Sequence, residues 1–255
     1  MKLTFLGTGT SHGIPMIACD CRVCTSSDPR DKRTRPSILI EYAGKSVLID
    51  TTPELRLQCI ANNVRRVDAV LFTHVHADHV TGLDDLRRFN DILRAPLPVY
   101  GNQDTLDRLQ QMFAYAFTHN PHYISAKPAL HPVPIDGPFD LFGRRVIPIE
   151  LPHGPTCVLG YRIGRLAYCT DCSDIPPAAQ NLLKDLDVLV LDALRIRPHP
   201  THLTLAQAID WAGRIGAKRT LFTHIAHEIL HAEIQPTLPA GIELAYDGMC
   251  VQVAE

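Results

Sequence analysis

The sequence lacks any apolar run long enough for a membrane span, although 45% of its 255 residues are hydrophobic. A spanning helix needs about 20 consecutive apolar residues. No basic, apolar, small-residue leader opens the chain, which argues against a secretory signal and gives the expectation of a cytoplasmic protein. An excess of either charge is missing too. The 25 Lys and Arg nearly balance the 27 Asp and Glu, for a formal net charge of -2. That leaves no basic footprint for binding nucleic acid without regard to sequence. There is no internal repeat, low-complexity tract or linker, so one domain over residues 1–255 is expected. The eight cysteines form no disulfide framework, because Cys19, Cys21 and Cys24 crowd together and the rest scatter. Metal binding accounts better for the crowd.

Strand-like runs fall at 2–6, 37–42, 46–50, 68–73, 97–100, 144–150, 157–163, 165–170, 187–192, 218–223 and 242–253. Helical patterns lie near 53–63, 79–92, 102–116, 176–185 and 203–215; the last opens with Thr204 and Gln207 in capping-box spacing. Hairpin-like strand pairs early and late, with helices outside, predict an α/β fold of two packed sheets flanked by helices. Residues 113–138 hold several Pro and His with little period and read as an insertion over one edge. Within it, His119, His122 and Tyr123 are candidates for the mouth of a site or for surface decoration.

The densest chemistry is His74-Val75-His76-Ala77-Asp78-His79, directly after the apolar run Ala69–Phe72. Imidazole and carboxylate are donors that borderline divalent metals prefer. His74 and His76 alternate on an extended segment and face one way, while Asp78 and His79 sit where a helix begins and can serve a second ion. Four further residues, Asp50, His153, Asp171 and His224, each follow a strand-like run. Strand ends converge on one rim of a layered fold, so ligands from distant segments can meet there.

These residues, in this order, resemble the metallo-β-lactamase superfamily. The resemblance covers essentially the whole chain and implies a four-layer αββα sandwich with a dinuclear site. It implies that His74, His76 and His153 hold one metal, that Asp78, His79 and His224 hold the other, and that Asp171 bridges them. Asp50 would orient the ligand loop. Two cations roughly 3.5–4 Å apart lower the pKa of a shared water from about 16 toward about 7, giving hydroxide at neutral pH. The expected cofactors are two divalent ions, Mn²⁺ or Zn²⁺, between which the ligand types do not choose.

Cys19, Cys21 and Cys24 suit a closed tetrahedral zinc, for which His227 is the candidate fourth ligand. The remaining cysteines read as core packing. The loop Gly7-Thr8-Gly9-Thr10-Ser11-His12-Gly13 has small residues whose N–H groups could approach a phosphate. This loop, the Cys triplet, the His cluster, Thr223-His224-Ile225-Ala226-His227 and Tyr246-Asp247-Gly248-Met249 together resemble the family of the phosphoribosyl 1,2-cyclic phosphate phosphodiesterase of the carbon–phosphorus lyase pathway. That resemblance implies one structural zinc, a small phosphodiester substrate, no membrane partner and a homodimer. It also makes His202 the acid that protonates the leaving oxygen, with His199 as competitor and Asp78 as a second catalytic residue.

Three readings follow. The first is a dinuclear phosphodiesterase acting on a small, cyclic ribose phosphodiester. The second is a tRNA 3′-end endoribonuclease, against which the balanced charge argues. The third is a metal-binding protein without turnover, similar to the pyrroloquinoline quinone biosynthesis protein, against which the complete ligand set argues.

Overall fold

The computed structural model describes residues 1–118 and 125–254. Its first half runs β1 (Lys2–Gly7), β2 (Ser37–Tyr42), β3 (Lys45–Ile49), α1 (Leu55–Ala61), β4 (Ala69–Leu71), α2 (Ala77–Val80), α3 (Arg87–Leu93), β5 (Leu97–Gly101), α4 (Gln103–Met112), α5 (Ala114–Phe117) and β6 (Leu130–Pro134). The second runs β7 (Phe139–Leu141), β8 (Arg144–His153), β9 (Thr156–Ile163), β10 (Leu166–Cys169), α6 (Pro177–Leu182), β11 (Val188–Asp192), α7 (Leu205–Ile215), β12 (Arg219–Thr223), α8 (His231–Ile234), β13 (Ile242–Leu244) and β14 (Cys250–Gln252). The strands form two seven-stranded sheets, ordered β14-β1-β2-β3-β4-β5-β6 and β13-β12-β11-β10-β9-β8-β7.

Both faces of the central strands are apolar, and alternation sorts them. Ile38, Ile40, Val47, Ile49 and Leu71 point between the sheets and meet Val146, Tyr161, Tyr168, Val188 and Val190 of the second sheet. Leu39, Leu48 and Val70 point outward and are covered by helices of the first half. Ala167, Leu189 and Leu191 are covered in the same way by helices of the second half. A period of two with both faces buried requires a layer on each side, and the result is the expected αββα sandwich.

Within each half, the strands from β3 to β6 and from β10 to β13 run parallel. Their carboxyl ends therefore open on a common rim. Asp50 follows β3, Thr73 and His74 follow β4, Asp171 follows β10, Asp192 ends β11 and His224 follows β12.

Several expectations are corrected. The run 242–253 is two strands in different sheets, separated by a turn in which Gly248 has φ +87°. The helix expected over 79–92 is broken into α2, a 3-10 turn at Leu83–Leu86, and α3. The break seats Gly82 against the loop after β3: its N–H donates to Thr51 O at 3.0 Å, while Thr51 N–H donates to His79 O at 2.7 Å. The supposed insertion at 113–138 contains α5 and the edge strand β6, parallel to β5. Pro132 and Pro134 hid that strand, since proline is tolerated at a sheet edge and not inside. His119, His122 and Tyr123 lie outside the described residues.

A Cβ on Gly82 would stand 1.9 Å from Thr52 O, whereas one on Gly213, inside α7, meets nothing within 4 Å. Gly82→Ala is therefore expected to cost roughly 1–3 kcal/mol of stability or more. Gly213→Ala should instead add roughly 0.4–1 kcal/mol. Urea titrations of both variants test the difference in sign.

Candidate metal centres

Asp50 is fully buried and lies beneath the histidine cluster. It accepts hydrogen bonds from Thr73 N (2.8 Å), Thr73 Oγ1 (2.8 Å) and His79 Nδ1 (2.7 Å). Thr73 Oγ1, having donated to Asp50, lies 2.9 Å from His74 Nδ1 and accepts from it. One carboxylate thus fixes both His79 and, through Thr73, His74 with Nδ1–H turned away and Nε2 facing the cleft. His153 is held in the same tautomer by Thr201 O, 2.9 Å from Nδ1.

A second buried carboxylate, Asp192, acts similarly on the opposite wall. Its Oδ2 lies 3.1 Å from His202 Nδ1 and accepts from Leu203 N at 3.2 Å, while Oδ1 is 3.8 Å from His224 Nδ1. His202 is buried, with its ring 4.8 Å from that of His153 and 4.7 Å from that of His224. His199 is 5.0 Å from the His202 ring, and its Nδ1 lies beside Thr201 rather than a carboxylate. Of the two candidates, His202 is the one with an acidic anchor.

The donor atoms gather in two sets. His74, His76 and His153 converge within 4.8 Å of one another, and so do Asp78, His79 and His224. Asp171 lies between them: Oδ1 is 3.4 Å from His79 Nε2, and Oδ2 is 3.3 Å from His224 Nε2 and 3.9 Å from His74 Nε2. The Nε2 atoms of His74, His79 and His224 are buried without a hydrogen-bond partner. Buried imidazole nitrogens left unpaired around an acidic hub are what a pair of divalent cations would satisfy, so the clusters fit a dinuclear site.

The electrostatics agree with this fit. Burial opposes charge on His79, yet Asp171, Asp50 and Asp78 outweigh it and raise its pKa well above the ordinary value. Burial likewise opposes His224, but Asp171, Asp78 and Asp192 push it up to about 9. His74 is pushed well below the ordinary range by burial and by the neighbouring imidazoles, and His153 is lowered by burial and by His202. The buried carboxylates thus favour positive charge at His79 and His224.

Backbone conformation marks the same positions. Asp50, Asp171 and His224 have φ of +63°, +56° and +59°. Non-glycine residues seldom adopt the left-handed region, and such strain concentrates at functional sites.

The cysteine loop forms a separate cluster. Sγ of Cys19, Cys21 and Cys24 lie 3.3, 3.4 and 3.8 Å from His227 Nδ1. Tetrahedral bonds of about 2.3 Å to sulfur and about 2.0 Å to nitrogen place such atoms about 3.5 Å apart. Cys24 N–H donates to Cys21 Sγ and Met16 N–H to Cys24 Sγ, as suits thiolates. Burial opposes ionisation of Cys21, but the N–H of Cys24 and the thiols beside it lower its pKa to about 6, while burial and the same neighbouring thiols push Cys24 up to about 11.

One expectation is narrowed here and another fails. The glycine loop is tied down along most of its length, with Gly9 N–H, Thr10 N–H and Gly13 N–H donating to Thr34 O, Ile225 O and Thr10 O, so any approach of its amides to a phosphate is confined to the exposed tip at Ser11 and His12. Its small residues serve close packing: a Cβ on Gly7 would stand 2.0 Å from Arg35 O. Cys157 and Cys250 are exposed, not core, although Cys59, Cys169 and Cys172 are buried. Thr73 and Asp192 are the two functional positions that the sequence reading misses. Asp192 ends a strand just as Asp50 follows one, which was a usable signal.

A sequence family described as the β-lactamase superfamily domain matches residues 45–225. Among solved structures, the chain is similar to a new diphosphatase from the PhnP family, with 46% identity and a TM-score of 0.92 over 98% of this chain and 96% of that one. The octanoyltransferase of Porphyromonas gingivalis is 42% identical over 98% of this chain and 51% of its own length. Ribonuclease Z of Bradyrhizobium diazoefficiens is 32% identical over 44% of this chain and 33% of its own. The chain thus spans about half of the first of these curated relatives and about a third of the second.

Divalent cations must displace the protons on His79 and His224, so their binding to metal-free protein should release protons. Since His224 keeps its proton until about pH 9, affinity should keep rising between about pH 7 and that value, well above an ordinary imidazole pKa of about 6.5. Calorimetry in buffers of different ionisation enthalpy measures the release; an affinity flat over that range would contradict it.

Proposed function

The chain belongs to the β-lactamase superfamily and, within it, to the PhnP family, and on that premise we propose that this metal-dependent hydrolase cleaves a small phosphodiester, with a cyclic ribose phosphate as substrate. The observation that carries the reading is Asp171, whose two oxygens reach 3.4 Å from His79 and 3.3 Å from His224 while His74 lies 3.9 Å away. A carboxylate so placed suits a bridge between two ions. Two divalent ions held there would supply a water that is acidic at neutral pH and would neutralise charge on the phosphoryl oxygens.

The protein's own residues supply the rest. Asp50 and Thr201 O hold His79, His74 and His153 in one tautomer, so their lone pairs need no rearrangement. Asp78 would serve in the second set, with Oδ2 3.5 Å from His79 Nε2 and 3.6 Å from His224 Nε2. Asp192 anchors Nδ1 of His202 and leaves Nε2 to protonate the departing oxygen. In the same reading Cys19, Cys21, Cys24 and His227 hold a structural zinc. His227 lies three residues beyond His224, so that zinc stiffens the loop presenting an active-site ligand.

The ribonuclease Z similarity supports RNA as the second reading, and the near balance of 25 cationic and 27 anionic side chains weighs against it. The name octanoyltransferase belongs to a protein about twice as long and directs no part of this assignment.

With Mn²⁺ or Zn²⁺, hydrolysis of bis-p-nitrophenyl phosphate and of 2′,3′-cyclic nucleotides is expected, without cleavage of pre-tRNA. A tRNA product with a defined 3′ end would replace this reading by the second. His202→Ala should lower kcat by roughly 10²–10⁴ while leaving metal content unchanged; metal loss would remove it from the acid's role. Cys21→Ser should lower the zinc content by one ion per chain and reduce thermal stability. An unchanged stoichiometry by elemental analysis would rule out the structural zinc.

A further inference from the structure

His224 differs from the other buried ligand imidazoles. His74, His79 and His153 are each fixed by a hydrogen bond at Nδ1, of 2.9, 2.7 and 2.9 Å. Nδ1 of His224 has no hydrogen-bond partner among the described residues, and Asp192 Oδ1 stands 3.8 Å away. Its backbone also occupies the left-handed region, with φ +59°. What aims this ring is therefore the chain on either side of it.

That chain is gripped before and after His224. Phe222 O accepts from Ala245 N–H at 2.9 Å. Ile225 N–H donates to Thr8 O at 2.9 Å, and Ile225 O accepts from Thr10 N–H at 3.0 Å. Ala245 and Thr8 lie on distant segments, and one guanidinium joins them. Nη1 of Arg33 donates to Thr8 Oγ1 at 2.9 Å and to Ala245 O. Nη2 donates to His231 Nδ1 at 3.2 Å, at the start of α8 and just beyond His227.

Arg33 is fully buried, and its charge is answered only at one remove. Thr8 Oγ1, having accepted from Arg33, donates to Asp247 Oδ1 at 2.7 Å, while Asp247 Oδ2 accepts from Thr34 N and Thr34 Oγ1, both at 2.7 Å. Burial pushes the guanidinium down to about 10 against the pull of Asp247 and Asp31, so it stays charged at neutral pH. Its Nε has no partner among the described residues. A buried charge paired so incompletely is costly, and the fold retains it where it ties three segments together. Gly9 is pressed against the same residue: a Cβ there would stand 2.7 Å from Arg33 O. The missing side chain lets Thr8 and Thr10 both reach Ile225.

We propose that Arg33 is a positioning residue for the second ion, fixing the backbone before and after His224 and so aiming an imidazole that no hydrogen bond orients. The proposal rests on the dinuclear reading of the site. Arg33 acts through Thr8 and Ala245, not on the ligand atoms themselves.

Cobalt tests it. With zinc kept at the cysteine site and Co²⁺ at the catalytic pair, competition with a chelator of known affinity reads the two cobalt affinities. Arg33→Lys keeps the charge but cannot reach Thr8, Ala245 and His231 together. Thr8→Val removes the link between Arg33 and Asp247. Each should weaken one cobalt ion by about tenfold or more while leaving the other within about twofold. Thr8→Ser, which restores the hydroxyl, should return both affinities to the wild-type values. Tyr42→Phe loses a buried bond to Leu141 O at the opposite rim, and should lower Tm without moving either affinity. Unchanged affinities in Arg33→Lys and Thr8→Val, equal weakening of both ions, or the same selective weakening in Tyr42→Phe would overturn the positioning role and leave the dinuclear site standing. If Arg33→Lys does not fold, Thr8→Val decides alone. A wild-type chain that holds a single cobalt ion would overturn both readings.

Discussion

Asp50 has no solvent exposure, and burial raises its pKa against the pull of His79 and Thr73. An unpaired carboxylate there would be costly; hydrogen-bonded to Thr73 and His79, it becomes the fixed point from which the site is built. It holds one histidine of each donor set, His74 through Thr73 and His79 directly. Asp192 plays the matching part for His202, and it lies 3.8 Å from His224. Two buried carboxylates, one per sheet, thereby orient three imidazoles, those of His74, His79 and His202. The ring positions are set by residues that need not touch a substrate at all.

The sandwich makes this arrangement available. Each sheet contributes a parallel set of strands with buried faces on both sides, and the backbone beyond each strand end must turn at the same rim. Direct links tie the sheets together just below the site. Tyr161 of β9 donates its hydroxyl to Phe72 O at 2.6 Å, and Leu159 N–H donates to Thr73 O at 3.0 Å. The segment carrying Thr73 and His74 is therefore clamped by the other sheet, so the distance between the donor sets depends on packing of the whole core.

What could be read in the chain was whatever is local. His74, His76, Asp78 and His79 are close in sequence, and their spacing alone gives the two facing groups. Asp50, His153, Asp171 and His224 were found because each terminates an apolar run, a pattern that survives without knowing the partners. The contacts made at long range stayed hidden. Nothing near Gly82 announces that Thr52 lies against it and breaks the helix. Nothing near Gly9 or Thr10 says that Thr34 and Ile225 take up their amides.

Asp50, Asp171 and His224 occupy the left-handed region, where Asp, Asn and His are the side chains best tolerated after glycine. The backbone thus screens what may stand at these positions before coordination chemistry has any say. Glutamate would keep the charge of Asp171 but add a methylene in a conformation it resists, while asparagine would suit the conformation and surrender the charge. Substitution at these three corners is therefore restricted for two unrelated reasons at once.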